Sequence, residues 1–299
     1  MDDEPWAPRG HEVAWGQLAL GSPRSRVAVE SAPRDSTAPI VDATGLLSHP
    51  LLSASPALCL WRAPTDNDRI GGMGARWAEW GLDHLERELV SIAEHGGATV
   101  VTANVRTRAG HVIRHEQTIR AHSGAGWTVD ERVVVPAELT DIARVGIVLE
   151  TIPGLEQAQW FGRGPHESYP DRRRGARVGR WQSSVADLAV PYIRPQENGG
   201  RADVRWLELR DATGSGSGLR LAFDRPLQVS ATHHSAADLA AAGHDIELVA
   251  RPETIVHIDV AHRGLGTASC GPDTTAEYLV GPGSYEWSWS MEPVGDARS

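Results

Sequence analysis

From position 41 onward, apolar and polar residues alternate in short runs separated by turn-forming residues. Side chains two apart on an extended chain share a face, so such alternation predicts half-buried strands. The clearest runs are 99–108, 112–121, 127–135 and 144–151, followed by 204–210, 219–223, 254–260 and 277–291. Trp287 and Trp289 lie two apart and are expected on one face of the last strand. Ser123-Gly124-Ala125-Gly126 and Gly214-Ser215-Gly216-Ser217-Gly218 each sit between two alternating runs and predict hairpin loops. Helical spacing is confined to 74–82, where Trp77 and Trp80 share a face, and to 235–242. Many short strands with few helices predict an all-β antiparallel sandwich.

The first forty residues read differently. Residues 11–20 (HEVAWGQLAL) predict a strand with nothing nearby in sequence to pair with, and 23–40, rich in Pro, Ser, Arg and Ala, reads as a linker. At 299 residues the chain is long enough for a well-sized core, and 40% hydrophobic with 23% charged residues is globular composition. A net charge of −10 argues against a nucleic-acid surface. No apolar run approaches membrane-span length, and the acidic N-terminus lacks the apolar core of a signal peptide, so the expected compartment is the cytoplasm. All 29 basic residues are arginine, and the two cysteines, Cys59 and Cys270, are too few for a disulfide framework. Eleven tryptophans keep sugar stacking open, although most are expected to be core anchors.

Trp61-Arg62-Ala63-Pro64-Thr65-Asp66-Asn67-Asp68 carries the densest chemistry. Pro64 drives Ala63 out of the helical region, and Asp and Asn bond their own backbone. Two readings follow: a rigid surface loop presenting Arg62, Asp66, Asn67 and Asp68, or a capped turn leading into a helix. Asp66 and Asp68 offer oxygens to a cation, but Arg62 is placed to neutralise the same carboxylates, and a salt-bridged structural loop is preferred.

This octapeptide, with Trp77, Trp80 and Gly81-Leu82-Asp83, resembles the C-terminal domain of the large bacterial β-galactosidases and the separate small chain of their two-chain forms. The resemblance continues through WFGRGPHESYPDR (160–172), YIRPQENG (192–199) with DVRW (203–206), and Gly264-Leu265-Gly266 with Ser269-Cys270-Gly271-Pro272. These blocks occur in order and span most of 40–292. The implied fold is a large galactose mutarotase-like β-supersandwich with one or two short helices, over 41–295. Residues 1–22 would then be the last strand of an immunoglobulin-like domain and 23–40 a linker, as in a small-subunit chain or truncated reading frame.

The resemblance also implies a division of labour. Glycoside hydrolysis needs two carboxyls flanking the bond, about 5–5.5 Å apart for retention. In the resembled enzymes these belong to a separate barrel, which has no counterpart here, so no catalytic residue and no metal ligand is assigned to this chain. Magnesium and sodium are expected on that absent barrel. Cys270, Asp66, Asn67 and Asp68 are the candidate residues at the active-site mouth. At the position of Cys270 the best-known members carry a tryptophan platform, which implies either a smaller wall or an inert buried thiol. Arg69 to Ala75, with Gly71, Gly72 and Gly74, resembles a mobile loop at the same mouth. Trp61, Arg62, Gly164, Pro165, Glu167, Tyr169, Asp171, Gln196, Glu197 and Asn198 are expected to be structural. Arg163, Arg172 and Arg205 are candidate partners for the two glutamates, and Gly162, Gly164 and Gly199 candidate turn residues.

The expected partners are a barrel-containing chain or domain and a galactoside such as lactose, in an oligomer. Competing readings are a stand-alone carbohydrate-binding module, a mutarotase using His166 and Glu167, and an inactive gene fragment. No Gly-x-Ser-x-Gly elbow or phosphate loop occurs, and adjacent His233 and His234 make a poor chelating pair.

Overall fold

A computed structural model describes residues 6–8, 10–18, 40–122, 126–213, 216–267 and 273–295. In chain order the strands are β1 (Ile40–Val41), β2 (Leu47–Ser48), β3 (Leu52–Cys59), β4 (Leu85–His95), β5 (Ala98–Thr107), β6 (Val112–Ala121) and β7 (Trp127–Val135). They continue as β8 (Arg144–Thr151), β9 (Leu155–Gly164), β10 (Arg177–Ser184), β11 (Arg201–Asp211), β12 (Gly218–Thr232), β13 (Ile255–His262) and β14 (Gly283–Val294). The helices are α1 (Asp66–Ile70), α2 (Met73–Trp80), α3 (Val185–Leu188) and α4 (Ala236–Ala241).

The architecture turns on β12. One edge pairs with β11 between Gly218 and Val229, with two register shifts; the other pairs with β14 over Gly218–Phe223 and with β13 over Gln228–Thr232. Pro226, which has no N–H to donate, stands where the second partner changes. The sheet therefore forks. One arm runs β14-β7-β6-β5-β4, the other β13-β8-β3, and the stem runs β11-β9-β10. Every pairing is antiparallel.

One hydrophobic cluster runs through all three branches. Trp287 and Trp289 share the inner face of β14, and Trp127 meets Trp289 edge-on at 6.5 Å. Trp77 is fully buried and donates its Nε1–H to the Asp141 carbonyl at 2.8 Å. Trp80, three residues on, is only partly buried. A carboxylate also sits on the inner face of β7: Glu131 accepts from Gln117 and from Trp289 Nε1 and faces His115 at 2.6 Å.

The rims are irregular. β3 contains Pro56 and two register shifts, and β4 shifts register at Val90. On β10, the Gln17 side chain takes the place of a neighbouring strand. Its Nε2 donates to Val178 O at 2.6 Å and its Oε1 accepts from Val178 N at 2.7 Å. Glu12 pairs with Arg177, whose guanidinium also lies over Trp15. The expected strand over 11–20 is thus not formed in its described part, 11–18, which holds the sheet through side chains instead of a backbone ladder.

Other expectations shift at their ends. β6, β7 and β8 match the predicted limits, β12 runs nine residues beyond the predicted 223, and Glu277 lies in a short 3₁₀ turn (Ala276–Tyr278) before β14. Residues 123–125 and 214–215 of the two hairpin loops lie outside the described residues, although their flanking strands do pair. Gly162 and Gly164 are not turn residues. Both end β9, where a Cβ would come within 2.8 Å of Val204 and 2.7 Å of Trp181 respectively. Gly199, at φ +71°, does hold a backbone conformation that favours glycine.

Gly146 on β8 is held to its size in the same way, since an added Cβ would lie 2.3 Å from Asp259 Oδ1 and 2.4 Å from Ile258 O. Gly146→Ala is expected to destabilise the fold by about 1–3 kcal/mol through overpacking. Gly175→Ala, at an exposed position with open space around its Cβ, serves as the control and should leave the urea midpoint unchanged.

Candidate functional site

The WRAPTDND segment forms the second of its two predicted structures. Thr65 caps α1, its hydroxyl accepting from Asp68 N while Asp68 Oδ2 accepts from Thr65 N at 2.8 Å. Reciprocal capping of this kind satisfies two helix-end donors at once. Arg62 and Asp68 are therefore not presented to solvent: they are 0% and 1% exposed. Arg62 grips Asp68 with Nε and a terminal nitrogen, at 3.1 and 2.8 Å. Its remaining donors reach Arg263 O at 2.6 Å, Gly264 O at 3.1 Å and His262 Nδ1 at 3.4 Å. With both Asp68 oxygens committed to Arg62 and the cap, Asp66 and Asp68 do not make a cation site.

Only Asp66 and Asn67 stay near the surface, and both are tied down. Asp66 N donates to the Gln196 side chain at 3.0 Å, and Asn67 Nδ2 donates to Leu265 O at 2.8 Å. The segment expected to be a mobile loop, 69–75, is mostly helical, because α1 and α2 are separated only by Gly71-Gly72. Gly72 sits at φ +78°, a conformation that favours glycine.

These contacts converge on the base of the loop carrying Cys270. That residue lies outside the described residues, but the stems on either side do not. Asp171 Oδ2 accepts from Gly266 N at 2.9 Å and from the Thr267 hydroxyl at 3.1 Å. Thr267 and Thr274 hydroxyls meet at 2.8 Å across the stems. Gly264 lets them close, since its Cβ would lie 2.4 Å from Thr274 and 2.8 Å from Asp171. Arg263 completes the clamp by bonding Asp141 at 2.9 Å and Asp273 at 2.6 Å.

A second group braces this base. Glu167 accepts from the Tyr192 hydroxyl at 2.6 Å, Gly199 N at 3.0 Å and Arg172 at 3.2 Å. Arg172 is thus its partner, as expected. Asn198 bonds the backbone at Val190 and Gln196, and the Tyr169 hydroxyl accepts from Gly200 N. Pro165 and His166 are exposed. Arg163 pairs with Asp203 instead of a glutamate, and Arg205 bonds the Asp203 carbonyl.

Glu197 has a partner that its neighbourhood in sequence does not suggest. Its carboxylate bonds Arg144 and lies 3.7 Å from His262 Nε2, while Arg144 also faces Asp259 at 3.4 Å. All four side chains are buried, as is His257 beside them. Burial opposes charge here, yet Arg144 and His262 together hold the Glu197 carboxyl far below the usual range. Asp259 goes the other way: burial pushes it up to about 7, only partly offset by Arg144. Burial lowers His262 to about 4 and, with Arg144, lowers His257 to about 3. His262 Nδ1 lies 2.8 Å from Arg263 O, and its Nε2 faces Arg144 at 3.4 Å. Arg144, Glu197, Asp259 and His262 thus form a buried ionic brace.

Two measurements check these assignments. Asp68→Ala leaves Arg62 buried without its carboxylate and is expected to cost about 3–5 kcal/mol in urea unfolding. Asp66→Ala removes a surface pair with Arg69 and a long bond from Gln196, and should cost less than about 1 kcal/mol. For Asp259, the raised folded value means the native state binds the proton more tightly than the unfolded chain. Its contribution is full below the unfolded value near 3.8 and is lost as pH rises through about 7. Asp259→Asn should therefore gain stability relative to the parent by about 2 kcal/mol between pH 5 and pH 8.

Residues 40–291 match the family model described as "Beta galactosidase small chain". The chain is 32% identical to a β-galactosidase of Arthrobacter sp. (strain B7), over 93% of its own length and 31% of that protein. It is 31% identical to the enzyme of Aeromonas hydrophila subsp. hydrophila, over 95% of this chain and 30% of that one. Among solved structures it is similar to a putative aldose 1-epimerase from Escherichia coli K12, at 11% identity and a TM-score of 0.44, over 84% of this chain and 93% of that one. The chain spans about three-tenths of the length of the curated relatives it matches. The match over residues 40–291, with these two relatives, places it: this chain belongs to the β-galactosidase small-chain family.

Proposed function

We propose that this chain is the small subunit or C-terminal domain of a β-galactosidase that removes terminal β-D-galactose from galactosides such as lactose. In this reading the catalytic carboxylates, with magnesium and sodium, reside on a barrel-containing partner. The chain supplies a wall of the active-site mouth through the loop around Cys270. One observation carries the reading: Arg62, Asn67 and Asp171 all spend hydrogen bonds on one stem of that single loop, at Gly264, Leu265 and Gly266 in turn. Three side chains fix this stem, and a fixed stem is what a wall of a binding site requires.

Exposed apolar side chains on adjoining segments support a docking face. Ile193 (80% exposed) and Ile246 (90% exposed) lie together, because Asp245 N donates to Ile193 O. Ile70, at the end of α1, is 76% exposed, and α1 is joined to the 192–198 segment through Gln196. Apolar surface of this kind is suited to a partner.

The purified chain is expected to show no hydrolysis of ortho-nitrophenyl galactoside, and addition of the barrel-containing chain should restore it. Robust turnover by the chain alone would overturn the division of labour. In the reconstituted enzyme, Asn67→Ala removes one bond to the loop stem and should raise KM about fivefold while leaving the chain folded.

A further inference from the structure

The β3-β8-β13 arm carries a cleft of about 250 Å³ that plays no part in the clamp around the Cys270 loop. Its wall is aliphatic: Leu58, Leu60, Leu82, Leu85, Val148 and Ile255 line it. Trp61, the remaining side chain of the WRAPTDND motif, lies along it and is only partly buried. His257 is opposite Val148 in the register and lines the same cleft. That side chain is 7% exposed, and its Nδ1 is buried with no hydrogen-bond partner among the described residues.

An unpartnered buried imidazole nitrogen beside an apolar cleft is costly, and proteins rarely leave one without purpose. Its chemistry defines what would complete it. Burial and the neighbouring Arg144 keep His257 neutral, so its Nδ1 is a donor in one tautomer and an acceptor in the other, without charge. A hydroxyl suits either tautomer, because it both donates and accepts. The acidic groups lining the cleft, Glu150 and Asp83, disfavour an anion, and Asp83 is already paired with Arg108 at 3.0 Å. A free sugar carries several hydroxyls that the leucine wall would leave unsatisfied. Size agrees with something smaller and flatter: an apolar cavity of about 150 Å³ accommodates benzene, so this one takes a ring with a substituent.

We infer that this cleft is a binding site for a small neutral aromatic alcohol of phenol size, its ring against Trp61 and the leucine wall and its hydroxyl on His257. The inference does not depend on the galactosidase reading. It assigns a ligand pocket to this chain itself, away from the Cys270 loop.

Fluorine NMR of para-fluorophenol with this chain tests it. Saturable binding is expected, with fluorobenzene, which lacks the hydroxyl, bound about fivefold more weakly or worse. Ala237→Trp, at an exposed position on the cleft wall, should abolish binding without disturbing the core. His257→Leu should make the two probes bind equally. Absence of saturable binding, an unchanged affinity in Ala237→Trp, or equal affinities for the two probes in the parent would overturn the proposal. So would loss of binding on adding the barrel-containing chain, which would give the cleft to a partner side chain instead.

Discussion

The guanidinium of Arg62 is the point on which the rest of the structure depends. It is out of contact with water, and each of its donors is spent: on Asp68, on the carbonyls of Arg263 and Gly264, and toward His262. Segments about two hundred residues apart are thereby held in one geometry. A buried charge is tolerated only when partners replace its hydration, and here they come from both segments. The same Asp68 carboxylate also starts α1, so helix capping and tertiary closure are a single event.

Around this pair the interior is more polar than a sandwich core requires. Arg144 stands between Glu197 and Asp259, with His257 and His262 alongside. Two carboxylates sharing one arginine cannot be equally well served. Glu197, with His262 to help, stays charged, whereas Asp259 is pushed toward neutrality. Such a network contributes less to stability than to geometry. It forces the 192–200 segment, β8 and β13 into one arrangement, and the stem of the Cys270 loop follows directly after β13.

Much of this is legible in the sequence, for identifiable reasons. β6, β7 and β8 alternate cleanly, and their limits can be read directly. β4 cannot, because Leu85–His95 carries three Glu and one Arg and is largely exposed, which blurs its period. β9 is hidden by its glycines, and β10 by polar residues on both faces. At the site, the Arg62–Asp68 pair is readable from six residues of separation. Arg144 and Asp259 are not, since both lie inside runs that look like ordinary strands and meet around Glu197 only through tertiary pairing. The glycines of β9 mislead for a related reason: their constraint comes from Val204 and Trp181, which are distant in sequence.

A forked sheet has three open rims, and each is blunted differently. β3 carries a proline and broken register, β4 slips at Val90, and β10 is occupied by the amide of Gln17. None presents an uninterrupted row of free amides to a foreign strand. Growth by strand addition, the usual route from a wide sheet to fibrils, is therefore obstructed at every margin, and recognition is left to the side chains on its faces.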